Sequence, residues 1–137
     1  MQEYLKKASF NSVSLIIEKI KLDFGNLMAD SYGNYFCQSL VRSVGSEQRL
    51  RILEALRPNF VEVACDNVGT HSMQRLVEIV CEESEKQVVF DSIYGKVGNM
   101  AFHQKGNYVL LTILNIMKGE NLNTIIQELI PSFFEMS

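Results

Sequence analysis

Apolar residues recur along this chain at helical spacing, and the helices themselves recur. After Gly33, the positions Phe36, Cys37, Leu40, Val41 and Val44 fall on one face of a helix. The pattern returns at Ser72, Met73, Leu76, Val77 and Val80, and again at Val109, Leu110, Ile113, Leu114 and Met117. Each stretch is followed by a second helical run: Gln48 to Leu56, Lys86 to Ile93, and Leu122 to Ile130. Each is preceded by a short apolar turn opening at Phe24, Phe60 or Val97. Pro58 and Pro131 stand just past two of the second runs, where a residue without an N–H should end a helix. Asp30 and Asp66 sit just ahead of the first helix of their units, where a carboxylate can take free N–H groups. No segment alternates apolar and polar as a strand does. The pattern predicts an all-α chain, an α-solenoid in which each unit buries its apolar face on its neighbours.

Sliding the sequence on itself fixes the period at about 36 residues. The segment Asp30-Ser31-Tyr32-Gly33-Asn34-Tyr35-Phe36-Cys37-Gln38 aligns with Asp66-Asn67-Val68-Gly69-Thr70-His71-Ser72-Met73-Gln74. Both align with His103-Gln104-Lys105-Gly106-Asn107-Tyr108-Val109-Leu110-Leu111. Phe24, Phe60, Val97 and Phe133 mark successive starts. The expected organisation is a single domain with repeats at roughly 24–59, 60–96 and 97–132, and incomplete repeats at 1–23 and 133–137. Gln2 falls one period before Gln38, as the last member of a trio whose first members are expected beyond the N-terminus. The helix faces at the two ends (Leu15, Ile16, Ile17 and Ile20; Ile125, Ile126, Leu129, Phe133 and Phe134) lack the polar caps that solenoids need, so end-to-end self-association is expected.

Composition narrows the function. The 137 residues are 47% apolar and 21% charged, a normal globular balance for one domain. The net charge is −3 and the pI about 5.4, which excludes coating nucleic acid through bulk positive charge. Any nucleic-acid site must work by local geometry. Three cysteines, Cys37, Cys65 and Cys81, form no C-x-x-C and leave an odd count, and only His71 and His103 could assist a metal. No metal, cofactor or disulfide framework is expected. The cysteines and the six methionines read as core hydrophobes, and the compartment as cytoplasmic. Met1-Gln2-Glu3-Tyr4 does not open a signal peptide. The most apolar stretch, Tyr108 to Met117, is too short to span a bilayer, so no membrane partner is expected. Nucleophile elbows, P-loops and metalloprotease motifs are absent, which argues against an enzyme. The run Glu82-Glu83-Ser84-Glu85 reads as a solvated turn.

Subtracting the apolar positions from the first helix of each unit leaves three trios: Asn34, Tyr35 and Gln38; Thr70, His71 and Gln74; Asn107, Tyr108 and Leu111. The outer members are four apart and share a face, with a flat ring beside them. Stacked units turn the trios into a ladder. Asn and Gln carboxamides each carry an acceptor and two donors, which can match the edge of an unpaired base such as uracil. A ring between units can stack on the base face, for about 1–3 kcal/mol per base. Helical repeats that read one base each are an established mode of RNA recognition. Arg42 and Arg75 are candidate phosphate contacts.

Gly33-Asn34-Tyr35-Phe36-Cys37-Gln38 and Gly69-Thr70-His71-Ser72-Met73-Gln74, recurring at 36, resemble the Pumilio (PUF) repeat, as does Ser46-Glu47-Gln48-Arg49. The resemblance covers nearly the whole chain, though the family's domain usually holds eight repeats. It implies three-helix repeats and sequence-specific binding of single-stranded RNA in mRNA 3′ untranslated regions. It also implies translational repression or decay through proteins recruited, for instance, on the outer face. Carried over by position, Asn34 and Gln38 should read uracil with Tyr35 stacking. Thr70 and Gln74 resemble an adenine-type pair, a uracil reading staying open, with His71 stacking. In the third repeat Leu111 replaces the polar reader, so Asn107 and Tyr108 should stack a base without identifying it. The alternative is a protein-binding helical scaffold, HEAT- or armadillo-like or a degenerate PUF-like array, without base readout.

Overall fold

The computed structural model describes the backbone of residues 10–136 and the side chains of residue 12 and of residues 14–131. Gln2, Phe133 and Phe134, singled out above, lie outside the described side chains. Among the described residues the chain is a succession of helices with no strand: α1 (Phe10–Ile20), a 3-10 turn (Lys21–Asp23), α2 (Phe24–Met28), α3 (Gly33–Ser43) and α4 (Ser46–Leu56). A second 3-10 turn (Arg57–Asn59) leads to α5 (Phe60–Ala64), α6 (Gly69–Ile79) and α7 (Glu83–Ile93). Then come α8 (Val97–Ala101), α9 (Gly106–Ile116) and α10 (Gly119–Met136). A unit of one short and two long helices thus occurs three times, and α1 stands where α4 and α7 stand in later units.

The long helices form two layers. In one, α3 packs on α6 and α6 on α9; in the other, α1 packs on α4 and α4 on α7. The short helices lie between the layers, and their aromatic and aliphatic residues fill the centre. Phe24, Phe60, Met28 and Met100 are fully buried, beside Leu40, Leu76, Ile52 and Ile93. Each long helix therefore buries one stripe, as its apolar spacing requires.

The structure departs from the sequence expectations at three places. The helices α4 and α7 start earlier than the apolar runs do, because their third residues turn back to cap them. Gln48 Oε1 accepts from Gly45 N–H at 3.3 Å. Glu85 Oε2 accepts from Cys81 and Glu82 N–H at 3.0 and 2.8 Å. For the same reason the acidic run is not wholly solvated: Glu82, Glu83 and Ser84 are exposed, but Glu85 is fully buried against Arg49 of the preceding unit. Finally, α10 continues through Pro131. Pro131 is exposed, and so is Gln127, the residue whose carbonyl loses its N–H partner to the proline. Pro58 does mark a stop, since α4 ends at Leu56 and Pro58 lies in the 3-10 turn that follows.

At the ends, Ile17 and Ile125 are buried, whereas Leu15, Ile126 and Ile130 are exposed.

Candidate nucleic-acid interface

The three helices α3, α6 and α9 begin with one repeated piece of backbone chemistry. In the first unit, Asp30 N–H closes on the Leu27 carbonyl, and the Asp30 carbonyl accepts from Asn34 N–H. Asp30 Oδ2 then takes the N–H groups of Tyr32 and Gly33 at 2.9 and 2.7 Å. Those two donors, Gly33 first, hold its carboxyl below the usual carboxylate range. Asp66 repeats the arrangement on Val68 and Gly69 at 2.9 and 2.8 Å. The third unit has no aspartate. His103 Nδ1 accepts from Lys105 and Gly106 N–H at 3.0 and 3.2 Å, doing the work of the carboxylate with a ring nitrogen. With Nδ1 as the acceptor, Nε2 is the ring nitrogen that carries a hydrogen. A carboxylate would add a charge at the positive end of α9, so His103→Asp is expected to raise stability by about 0.3–1 kcal/mol, read as a shift in urea midpoint.

Turns built this way aim the same residues outward. Tyr35, His71 and Tyr108 are exposed, and none stacks on another ring among the described residues. Between the first two, Asn34, Tyr35, Gln38, His71, Gln74 and Arg75 line an open cleft of about 280 Å³. The two rings and both glutamines expected from the sequence therefore meet at one site. Arg75 joins them there; its signal in the sequence was a cation directly after Gln74.

The first member of the first two trios is buried rather than open to a base. Asn34 is only 5% exposed and Thr70 1%. Asn34 Nδ2 donates to the carbonyls of Asp30 and Ser31 at 3.1 and 3.0 Å, so both its donors are spent. Its Oδ1 accepts from Gln38 Nε2 at 3.0 Å. Thr70 Oγ1 donates to the Lys105 carbonyl and accepts from Gln74 Nε2 at 3.2 Å. Asn34 and Thr70 thus hold the glutamines in place. Each glutamine keeps one N–H and Oε1 for an outside partner.

Spacing between the units is set by bonds across them. Ser72 Oγ donates to the Asn34 carbonyl at 3.1 Å, and Thr70 Oγ1 to that of Lys105 at 3.4 Å. In the third unit Asn107 Nδ2 is likewise spent, on His103 and Gln104 carbonyls at 2.6 and 3.0 Å. Leu111 stands 56% exposed where the other units carry glutamine. Tyr108 and Leu111 leave that unit with an apolar ledge and no outward carboxamide beyond Asn107 Oδ1.

The cysteines take no part in the site. Cys37 is buried, which pushes its thiol up to about 12, Cys65 is half-buried and Cys81 exposed. Among the described residues no group of histidines, cysteines and carboxylates could hold a metal, and no helix is long and apolar enough to cross a membrane.

The same architecture occurs in known proteins. The Puf4 RNA binding domain, solved bound to the HO endonuclease RNA 3′ UTR recognition sequence, superposes with a TM-score of 0.86 at 30% identity, over 98% of this chain and 42% of that one. Pumilio homolog 11 of Arabidopsis thaliana is 27% identical over 136 residues, 97% of this chain and 24% of its own length. Pumilio homolog 12 of the same organism is 24% identical over 120 residues, 85% of this chain and 20% of its own. The chain thus spans under half the length of these relatives. Its three units each match the model of the Pumilio-family RNA binding repeat, at residues 23–57, 59–94 and 96–130, and the chain belongs to that family.

Proposed function

We propose that this chain binds single-stranded RNA along the face formed by α3, α6 and α9, reading bases one per repeat without catalysing a reaction. The observation that carries the reading is the cleft between Tyr35 and His71. It offers two flat, unpartnered rings for base faces and, beside them, two glutamines held with an acceptor and a donor outward. Uracil is the base proposed for the first repeat, with Asn34 acting chiefly by orienting Gln38. The second repeat presents Gln74 in the same way, so adenine and uracil are both compatible with it. The third repeat, with Tyr108 and Leu111 outward, stacks a base without identifying it. The natural target proposed is a recognition sequence in mRNA 3′ untranslated regions, as in the solved Puf4 complex. The setting proposed is post-transcriptional regulation in the cytoplasm, with regulatory proteins on the outer layer. The exposed Leu15, Ile126 and Ile130 support end-to-end association of this chain.

Titration with short single-stranded RNAs tests this. Uracil-containing oligonucleotides should bind better than other homopolymers. Gln38→Ala should cost about 0.5–1.5 kcal/mol, a two- to tenfold loss confined to the uracil-containing ligand. Equal affinity for all homopolymers would contradict base reading, and absence of binding would favour a protein-binding scaffold.

A further inference from the structure

We infer that Arg75 is a phosphate-binding residue at the rim of the cleft and that Glu78 competes for it, so that the grip on the RNA backbone is concentrated on the first repeat. The inference rests on the RNA-binding reading above. Among the described residues, Arg75 is the one permanent cation lining the cleft with Tyr35, Gln38, His71 and Gln74. Its Nη1 lies 3.0 Å from both carboxylate oxygens of Glu78, one turn further along α6. The two side chains are 47% and 46% exposed. An ion pair so open to water contributes little, so little opposes its exchange for another anion. Phosphate is that anion in a nucleic-acid cleft: a guanidinium binds it in a planar, charge-assisted geometry, and Arg75 has Nη2 and Nε hydrogens to spare. Glu78 must give up Arg75 before the phosphate can take it, and this competition weakens the contact.

The neighbouring repeats show what this competition decides. The residue one period before Glu78 is Arg42, exposed on α3 one turn past Gln38 and without a partner among the described residues. In the third repeat Thr112 and Asn115 stand at the places of Arg75 and Glu78, and neither is charged. Along the ladder the sequence of charges is therefore a free cation, a cation tied to an acid, and none. Phosphate contacts fix position and register without reading bases. Arg42 would anchor the strand, Arg75 would contribute a damped second contact, and the glutamines would set identity independently.

The test is the salt dependence of binding to a short uracil-containing single-stranded RNA, using the whole chain. Arg75→Gln is expected to weaken binding about three- to tenfold at low salt and to flatten the log–log salt slope by roughly 0.7, one phosphate on a single strand. Glu78→Gln is expected to tighten binding several-fold, and to have little effect when Arg75→Gln is already present. Gln38→Ala, the control, should weaken binding with the slope unchanged. An unchanged slope in Arg75→Gln would overturn the inference. So would equal tightening by Glu78→Gln with and without Arg75, since the carboxylate would then act on the RNA directly. Wild-type protein that fails to bind RNA would defeat the underlying reading as well. Normal binding and Gln38 sensitivity, with a slope indifferent to Arg75, would defeat this inference alone.

Discussion

Arg49→Met is expected to lower the unfolding free energy by about 3–5 kcal/mol, the cost of leaving a buried charge unpaired. Arg49 on α4 reaches across one repeat to Glu85 on α7, with Nε on Oε1 and Nη2 3.5 Å from Cys81 Sγ. Glu85 is fully buried and Arg49 8% exposed. Burial by itself raises the Glu85 pKa, but the hydrogen bond from Arg49, the N–H groups of Glu82 and Cys81 and the Arg49 charge together hold it below the usual range. A carboxyl depressed in the folded state contributes stability that is present above its unfolded pKa and lost as pH falls through the folded one. Arg49→Met removes two of those supports. Adding Glu85→Leu should recover much of the loss, because a well-packed apolar pair often substitutes for a buried ion pair. Urea denaturation of the two variants at neutral pH measures both effects. A loss below about 1 kcal/mol in Arg49→Met would show that Glu85 reaches water, as an exposed pair would.

Gly69→Ala is expected to cost up to about 3 kcal/mol, the range for overpacking a tight contact. A Cβ on Gly69 would stand 2.8 Å from the Val63 carbonyl oxygen and 2.9 Å from Val63 Cγ1. The equivalent atom on Gly33 would meet the Leu27 carbonyl at 2.6 Å. In both cases the obstacle is backbone at the end of a short helix, which cannot rotate away. The glycine is thus the point where the short helix presses on the start of α3 or α6, and any shift there moves His71 and Gln74 out of register with Tyr35. Gly69→Ala should therefore weaken RNA binding as well as stability. Gly45→Ala is the contrast, with φ near −85° and nothing within 4 Å, and thermal unfolding should find it neutral or slightly stabilising.

These residues also show what was legible in the sequence. The period, the helix pairs and the outward rings could be read directly, because apolar spacing and the Gly-x-ring pattern repeat three times and each copy checks the others. Glu85 could not, since an acid within Glu82-Glu83-Ser84-Glu85 looks solvated until its partner, 36 residues away, is placed beside it. The burial of Asn34 and Thr70 escaped for a related reason. Polar spacing alone places these residues on the open face, yet the first turn of each helix needs side chains to satisfy the carbonyls of the preceding turn and the next repeat. His103 gave no capping signal because the residue type changed while the hydrogen-bond geometry did not. The breaking rule at Pro131 presumes a carbonyl that needs its N–H inside the protein, whereas Gln127 is an exposed residue.

The most direct measurement of the central claim is a side-chain NMR titration of this chain with a short uracil-containing RNA. Base capture between the rings predicts that the carboxamide of Gln38 and the ring resonances of Tyr35 and His71 move first and furthest, with Gln74 following. Those of Gln48 and Gln87, on α4 and α7, should stay in place. Shifts confined to the α4–α7 layer, with Gln38 and His71 unmoved, would contradict the account.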